Sequence, residues 1–263
     1  MSSATLRRPS PARGVAAVAR FWRRHGSTPL RIGLALLILY LWMQGQEIYP
    51  AVEDDLTASS LARFFGEHLK LVGISAVVVL AVGVPLGVLV TRRRFRRAAP
   101  VVLALANAGQ SAPSIGLIVI FVSLFGVEFV YVVLGLVVYA LLPIVRNTIE
   151  GLRAVDPGLL DAARGQGFSR RQVLLRVELP LAVPYVLAGI RTALVLLVGT
   201  ATLATFFDAG GLGTPINDGI KFQSTPVIVT GAVLAASLAI FIDWLAGIAE
   251  QYLSPRGLRK ERS

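Results

Sequence analysis

The hydrophobic positions of this chain fall into long apolar runs that are separated by shorter polar segments. Each run has about the 20 residues that an α-helix needs to cross a bilayer. The pattern therefore predicts an all-α integral membrane protein with about six transmembrane helices. The predicted spans cover residues 32–49, 69–90, 98–125, 129–145, 181–207 and 227–248, and Gln44, Gln46 and Glu47 make the end of the first run polar.

Two of the apolar runs contain residues that disturb a regular helix. The second run includes Pro85 between Gly83 and Gly87, which predicts a kink whose freed backbone groups must be satisfied by neighbouring helices. The third run is interrupted by Gln110, Ser111 and Pro113. These residues predict a broken or tilted helix.

Residues 146–180 form a polar loop between the fourth and fifth predicted spans. Asp156 followed by Pro157 is a helix-start pattern, because an acceptor side chain at the N-cap precedes a residue with fixed φ. Gly165 and Gly167 are expected to end this helix, and Ser169 with Gln172 forms a capping box for a second one. Pro180 and Pro184 are expected to mark the turn into the next span. The loop is therefore predicted to be a helix, a hinge and a second short helix.

The amino-acid composition indicates a membrane protein. Of its 263 residues, 55% are hydrophobic and only 16% are charged, which is too apolar for a soluble domain of this length. The chain has no cysteine, and its two histidines, His25 and His68, lack further ligands at metal spacing, so no metal site is predicted. His25 is interpreted as a tail residue and His68 as a residue at the membrane interface.

The formal net charge of +11 is distributed unevenly along the chain. Of the 26 Lys and Arg residues, 22 lie in the tail 1–31, the loop 92–97, the loop 146–180 and the tail 249–263. The positive-inside rule then places both tails and the 146–180 loop in the cytoplasm. A signal peptide is the competing interpretation of the N-terminus, but no small-residue cleavage site follows the first apolar run. Nucleic-acid binding is excluded, because these basic residues lack interleaved aromatic residues for base stacking.

The residues of the polar loop resemble the Glu-Ala-Ala signature of bacterial ABC-importer permeases. The matching positions are Asp161, Ala162, Ala163, Gly167, Val177, Leu179 and Pro180, with Asp in place of Glu and Val in place of Ile. The resemblance implies a type I importer subunit of the bacterial inner membrane, whose coupling helix sits in a groove of a separate ATPase. A solvated hairpin between two spans is the alternative interpretation.

The same resemblance implies the partners and the mechanism. These are two ATPase subunits that bind ATP and Mg²⁺, a second permease subunit, and an extracytoplasmic substrate-binding protein, working by alternating access. The chain itself contains no GxxxxGK[ST] phosphate-binding motif and no nucleophile with a base partner, so we predict neither an enzyme site nor a cofactor of its own.

Four further stretches, within about residues 60–250, resemble osmoprotectant-uptake permeases for glycine betaine, carnitine or choline. They are residues 68–87, 110–114, 142–148 and 188–192. No residue of the chain identifies the solute, so an importer of the same type for methionine or a sulfonate remains an alternative. An ATP-independent secondary carrier is another, although midplane carboxylates and inverted repeats are not found.

Two groups of residues inside or beside the spans are candidates for gating. Gly210, Gly211 and Gly213 are expected to form a re-entrant segment near the external gate, with Thr200, Thr202 and Thr205 satisfying backbone groups there. A flexible external turn is the alternative. Arg191 and Asp243 are charged residues within predicted spans. We interpret them as residues that fix the topology or take part in gating. They are expected to pair with each other, or Asp243 with a cytoplasmic Arg.

Overall fold

A computed structural model describes residues 26–253 of the protein. Most of the basic tail predicted over 1–31, and residues 254–263 of the predicted C-terminal tail, lie outside the described residues.

The described part of the chain is helical, and its α-helices are numbered here in chain order. They are α1 Ser27–Met43, α2 Ala58–Thr91, α3 Ala99–Ser111, α4 Ser114–Phe125, α5 Phe129–Arg153, α6 Pro157–Gly165, α7 Arg170–Val173, α8 Leu179–Ala201, α9 Gly213–Lys221 and α10 Thr225–Leu253. Short 3₁₀ helices cover Pro50–Leu56, Arg96–Ala98 and Thr202–Phe207, and a π-helical turn covers Leu174–Glu178.

Helix α5 lies at the centre of the fold. It packs against α2, α3, α4 and α8, while α10 packs on α8 and α9, and α1 packs on α10. The core between these helices is apolar and includes Leu71, Ile118, Leu136 and Leu197, each at most 1% exposed. Gly87 allows α2 to approach α5, because a Cβ at that position would lie 2.6 Å from Thr148 Cβ.

Within residues 26–253, four helical segments are long and apolar enough to cross a membrane. They are Ala58–Thr91, Phe129–Arg153, Arg170–Phe207 and Thr225–Leu253. The pair Arg96–Ser111 and Ser114–Phe125 counts as a fifth if the two are one span, and α1 is a shorter apolar helix of 17 residues. The predicted number of six spans, and their orientation, stay predictions.

The helix bounds differ from the predicted spans in physically informative ways. The first helix begins at Ser27 and ends at Met43, before the polar residues Gln44 to Glu47. Helix α2 begins at Ala58, eleven residues before the apolar run, because Thr57 caps it by accepting a hydrogen bond from the Ser60 N–H. It then continues through Pro85 to Thr91.

The third predicted span is broken, as its interruptions indicated. Helices α3 and α4 meet at an angle of 100° around Ala112 and Pro113. Ala112 is extended, with φ −69° and ψ 147°. A residue that precedes proline avoids the helical region, so the break falls where Pro113 requires it.

Candidate functional site

The coupling segment, defined here as residues 156–180, begins with the predicted cap. The Asp156 carboxylate accepts a hydrogen bond of 2.7 Å from the Gly158 N–H, and Pro157 is the first residue of α6. At the other end of α6, the Gly167 N–H donates to Arg164 O and the Phe168 N–H donates to Ala163 O. This pair of bonds is a Schellman motif, which requires the left-handed backbone that Gly167 adopts at φ +87°.

The second helix of the coupling segment is also capped as predicted. The Ser169 hydroxyl accepts from the Gln172 N–H, and the Gln172 side chain accepts from the Ser169 N–H at 2.8 Å. The prediction that the chain turns at Pro180 and Pro184 is wrong, because the helix continues without a turn from Arg170 through α8. Pro180 has no N–H to extend the helical ladder, and the residues directly before it form the π-helical turn Leu174–Glu178 instead.

The signature positions divide into an exposed and a packed group. Asp161, Ala162 and Gly167 are exposed, and a Cβ at Gly167 would meet no atom within 4 Å. Ala163 is buried, and Val177, Leu179 and Pro180 are partly buried. The coupling segment is thus anchored on one side and presents a face of small residues on the other.

An ion pair that the sequence patterns did not reveal fixes the end of the coupling segment. Glu178 is buried in the π-helical turn, and its carboxylate accepts a hydrogen bond of 2.6 Å from the Arg92 guanidinium. Arg92 follows the last residue of α2 and also donates to Val88 O and to the Thr91 hydroxyl. In the sequence, Arg92 is only one of the basic residues of the loop 92–97.

The glycine segment, defined here as residues 208–213, is held against α2. Gly210 and Gly211 have φ +70° and +92°. The Gly211 N–H donates to the Glu67 carboxylate at 3.0 Å, and the Leu212 N–H donates to His68 Nδ1 at 3.3 Å. Close approach of a neighbouring element is therefore present here, as the glycines indicated.

None of the three predicted threonine side chains bonds to a backbone group of the glycine segment. Thr200 and Thr202 donate to carbonyls of their own helical turns, at Leu196 and Gly199. Thr205 bonds instead to the hydroxyl of Thr214, the residue after the segment, at 3.1 Å. Short hydroxyl side chains in a helix reach the carbonyl three or four residues back, and this local bond prevails.

His68 is buried within the protein, and its interpretation as a residue at the membrane interface stays a prediction. It is 0% exposed, and its Nε2 lies 3.1 Å from Val198 O. Glu67 and His68 are separated from the glycine segment by 144 positions in sequence, so no local pattern identifies the contact.

Arg191 and Asp243 pair with each other across α8 and α10. The two hydrogen bonds, from Nε to Oδ1 and from Nη2 to Oδ2, measure 2.5 and 2.6 Å and make the pair bidentate. Glu250, two turns further along α10, lies 3.8 Å from the same guanidinium. The geometry explains how two charges are tolerated inside apolar helices.

These features define the class of the protein, which is an all-helical, multi-pass transport component of the bacterial inner membrane. The chain belongs to the family of binding-protein-dependent transport system inner membrane components, whose model matches residues 83–256. This family is the permease component of ABC importers, and the ATPase site is not part of it.

The proteins that are similar to this chain are permeases of the same family. The chain is 39% identical over 194 residues to the glycine betaine/carnitine/choline transport system permease protein OpuCB of Bacillus subtilis, covering 74% of this chain and 88% of that protein. It is 38% identical over 207 residues to the osmoprotectant import permease protein OsmW of Salmonella typhimurium, covering 77% and 95%. Among solved structures, an inward-facing form of the MetNI methionine ABC transporter matches with a TM-score of 0.64 and 26% identity, over 74% of this chain and 96% of that one.

Proposed function

We propose that this chain is the permease subunit of an ATP-driven importer for osmoprotectants of the glycine betaine, choline and carnitine class. The observation that carries the proposal is the similarity to permeases named for these solutes over three quarters of the chain. The likeness to the methionine transporter lies in the fold, and a shared fold does not determine a solute.

The coupling segment is the proposed contact with a partner ATPase. Its exposed residues Asp161, Ala162 and Gly167 have little bulk, so a groove on the partner can approach the backbone closely. Ala163, Val177, Leu179 and Pro180 are the packed residues that transmit a displacement of the segment into α8. The solvated-hairpin interpretation does not account for an anchored, doubly capped element with a buried Glu178.

The assembly that we propose contains two ATPase subunits, this permease with a second permease subunit, and an extracytoplasmic binding protein. ATP and Mg²⁺ are bound by the ATPase subunits, and this chain contributes no catalytic residue. ATP binding closes the ATPase pair, the coupling segments move with it, and the helices rotate as rigid bodies to open on the opposite side.

Gly210, Gly211 and Gly213 are the proposed elements of the external gate. Arg191 and Asp243 are proposed to help hold α8 and α10 together during the rotation, because their side chains form a bidentate ion pair between the two helices.

The recognition of a quaternary ammonium group belongs, in this proposal, to the binding protein. Such a cation is held by several aromatic rings through cation–π attraction. Within residues 26–253, Phe125 and Tyr131 form a stacked pair with ring centroids 5.3 Å apart, so these two rings pack on each other.

The test is uptake of labelled glycine betaine at high osmolarity. Uptake-deficient cells carry this gene with its ATPase and binding-protein genes, and the matched control lacks only this gene. We expect ATP-dependent accumulation that requires this subunit and that unlabelled choline or carnitine reduces. An assembled complex that accumulates methionine or a sulfonate, and no glycine betaine, contradicts the osmoprotectant assignment.

A further inference from the structure

Glu67 and His68 are consecutive residues of α2 that both bind the glycine segment. Glu67 accepts from the Gly211 N–H and His68 accepts from the Leu212 N–H. An N–H can only donate, so Nδ1 of His68 carries no proton. The proton lies on Nε2, which donates to Val198 O in α8. A neutral imidazole thus joins α2, α8 and the glycine segment.

The His68 side of this junction is closely packed and shielded from water, whereas the Glu67 side chain is 34% exposed. His68 and Leu212 are both 0% exposed, and hydrogen bonds in such surroundings are stronger than in water. A Cβ at Gly211 would lie 3.1 Å from His68 Nδ1, and a Cβ at Gly210 would overlap the Glu67 carboxylate. The backbone of the glycine segment therefore contacts α2 directly.

The same helix contacts the coupling segment at its other end. Arg92 binds Glu178 just beyond the last turn of α2, and it lies roughly 37 Å from Glu67 at 1.5 Å of rise per residue. A continuous helix thus connects the glycine segment with the coupling segment.

We propose that Glu67 and His68 are positioning residues that hold the glycine segment closed on α2 and α8, and that release it when the permease opens at this end. The inference rests on the proposed function, because alternating access requires one end of the transport pathway to open while the other end closes. In the resting complex, the bonds from Glu67 and His68 to the glycine segment keep this end of the pathway closed. It opens when a solute-loaded binding protein and ATP act together.

A disulfide lock tests whether the glycine segment must separate from α2. The chain contains no cysteine, so it is its own cysteine-free parent. The Cβ atoms at positions 67 and 210 lie 3.7 Å apart, which suits a disulfide. The double variant Glu67→Cys with Gly210→Cys is reconstituted in proteoliposomes with the ATPase and binding protein, and glycine betaine uptake is measured after oxidation and again after reduction.

We expect oxidation to abolish uptake and reduction to restore it in the same vesicles, with no effect of either on the parent or on Gly210→Cys alone. Undiminished uptake with the disulfide fully formed overturns the proposal. If the osmoprotectant assignment is wrong, the parent itself accumulates nothing. In that case ATP hydrolysis by the complex remains as a solute-independent measurement, and we expect oxidation to suppress it.

A second measurement separates positioning from mere stabilisation. Glu67→Ala removes the acceptor for the Gly211 N–H, whereas Glu67→Gln keeps an oxygen in place. A hydrogen bond to a charged group changes an equilibrium by about ten-fold or more, so we expect about ten-fold higher ATP hydrolysis without binding protein in Glu67→Ala. Glu67→Gln keeps the acceptor but loses the charge, so it should fall between the parent and Glu67→Ala. Arg63→Gln, which removes the exposed ion pair of 3.5 Å to Glu67 and the contact with the Phe64 ring but leaves the bond to Gly211, should remain near the parent. If Glu67→Ala instead lowers protein yield and all activities in parallel, Glu67 has only a structural role.

Discussion

Arg92 and Glu178 join the end of α2 to the coupling segment through an ion pair of 2.6 Å. The Glu178 side chain is 9% exposed, so its carboxylate depends on this partner for compensation of its charge. Because Arg92 also bonds to the last turn of α2, the coupling segment is tied to α2 as well as to α8.

Removing the cation should therefore uncouple the permease. Arg92→Gln leaves Glu178 buried without a counter-charge, and breaking such a pair typically costs about 3 kcal/mol. We expect ATP hydrolysis by the complex to continue while solute uptake falls strongly. Both are measured in proteoliposomes at equal subunit content.

The neighbouring Arg93 provides the matched control, because it is exposed and its change to Gln alters the net charge equally. A charge exchange, Arg92→Glu with Glu178→Arg, should recover part of the lost uptake. Equal losses in Arg92→Gln and Arg93→Gln contradict a specific role for the pair.

Gly167→Asp should leave the subunit inserted and assembled but uncoupled. A Cβ at this position meets no atom within 4 Å, so the new carboxylate lies on the exposed face that we propose contacts the ATPase. Gly167→Ala is the control, because it carries the same backbone strain at φ +87° with only a methyl group. That strain costs about 1–2 kcal/mol, so we expect Gly167→Ala to have lower thermal stability and to retain uptake. Normal uptake by Gly167→Asp counts against the coupling assignment.

Local signals in the sequence were sufficient for the elements that depend on local chemistry. The cap at Asp156, the capping box at Ser169 and the break at Pro113 are each decided by residues a few positions apart. The same holds for the left-handed turn at Gly167, since only the backbone of that residue is involved.

Contacts between residues that are far apart in the sequence could not be predicted from these local signals. The partners of the glycine segment are Glu67 and His68 rather than the nearby threonines, and the partner of Glu178 is Arg92. Such pairs are fixed by helix packing, which a single sequence does not encode in any periodic pattern. Hydropathy also missed the first turns of α2, because a helix can begin outside the apolar run when a residue such as Thr57 caps it.

Asp55 provides a pH-dependent prediction outside the membrane helices. It lies in the 3₁₀ helix Pro50–Leu56, where burial and the nearby Asp218 raise the pKa of its carboxyl, while Arg63 opposes them. A raised pKa in the folded state means that the ionised form destabilises the fold. This penalty is absent below the unfolded pKa and develops as the pH rises through the folded pKa.

Asp55→Asn should therefore raise the melting temperature slightly at neutral pH, and the gain should vanish in acid. Thermal unfolding of the purified complex between pH 4 and pH 8 measures this difference. Glu53→Gln, at an exposed residue of the same 3₁₀ helix, is the control, because Asp54 itself contributes to the raised pKa of Asp55. A gain that is independent of pH is inconsistent with ionisation of Asp55 as its cause.

Loss of either Arg191 or Asp243 should be harmful mainly because the other residue then keeps an uncompensated charge. Asp243→Asn leaves the Arg191 guanidinium between α8 and α10 without its bidentate partner, and with only Glu250 at 3.8 Å. An unpaired charge at membrane depth costs on the order of 2–3 kcal/mol, so we expect lower thermal stability and reduced uptake. The double variant Arg191→Gln with Asp243→Asn removes both charges and should recover stability, as measured by unfolding in detergent.

If the double variant also recovers uptake, the pair only stabilises the helices. If uptake stays low, the pair takes part in gating. Unchanged assembly and uptake in Asp243→Asn alone exclude an essential pair.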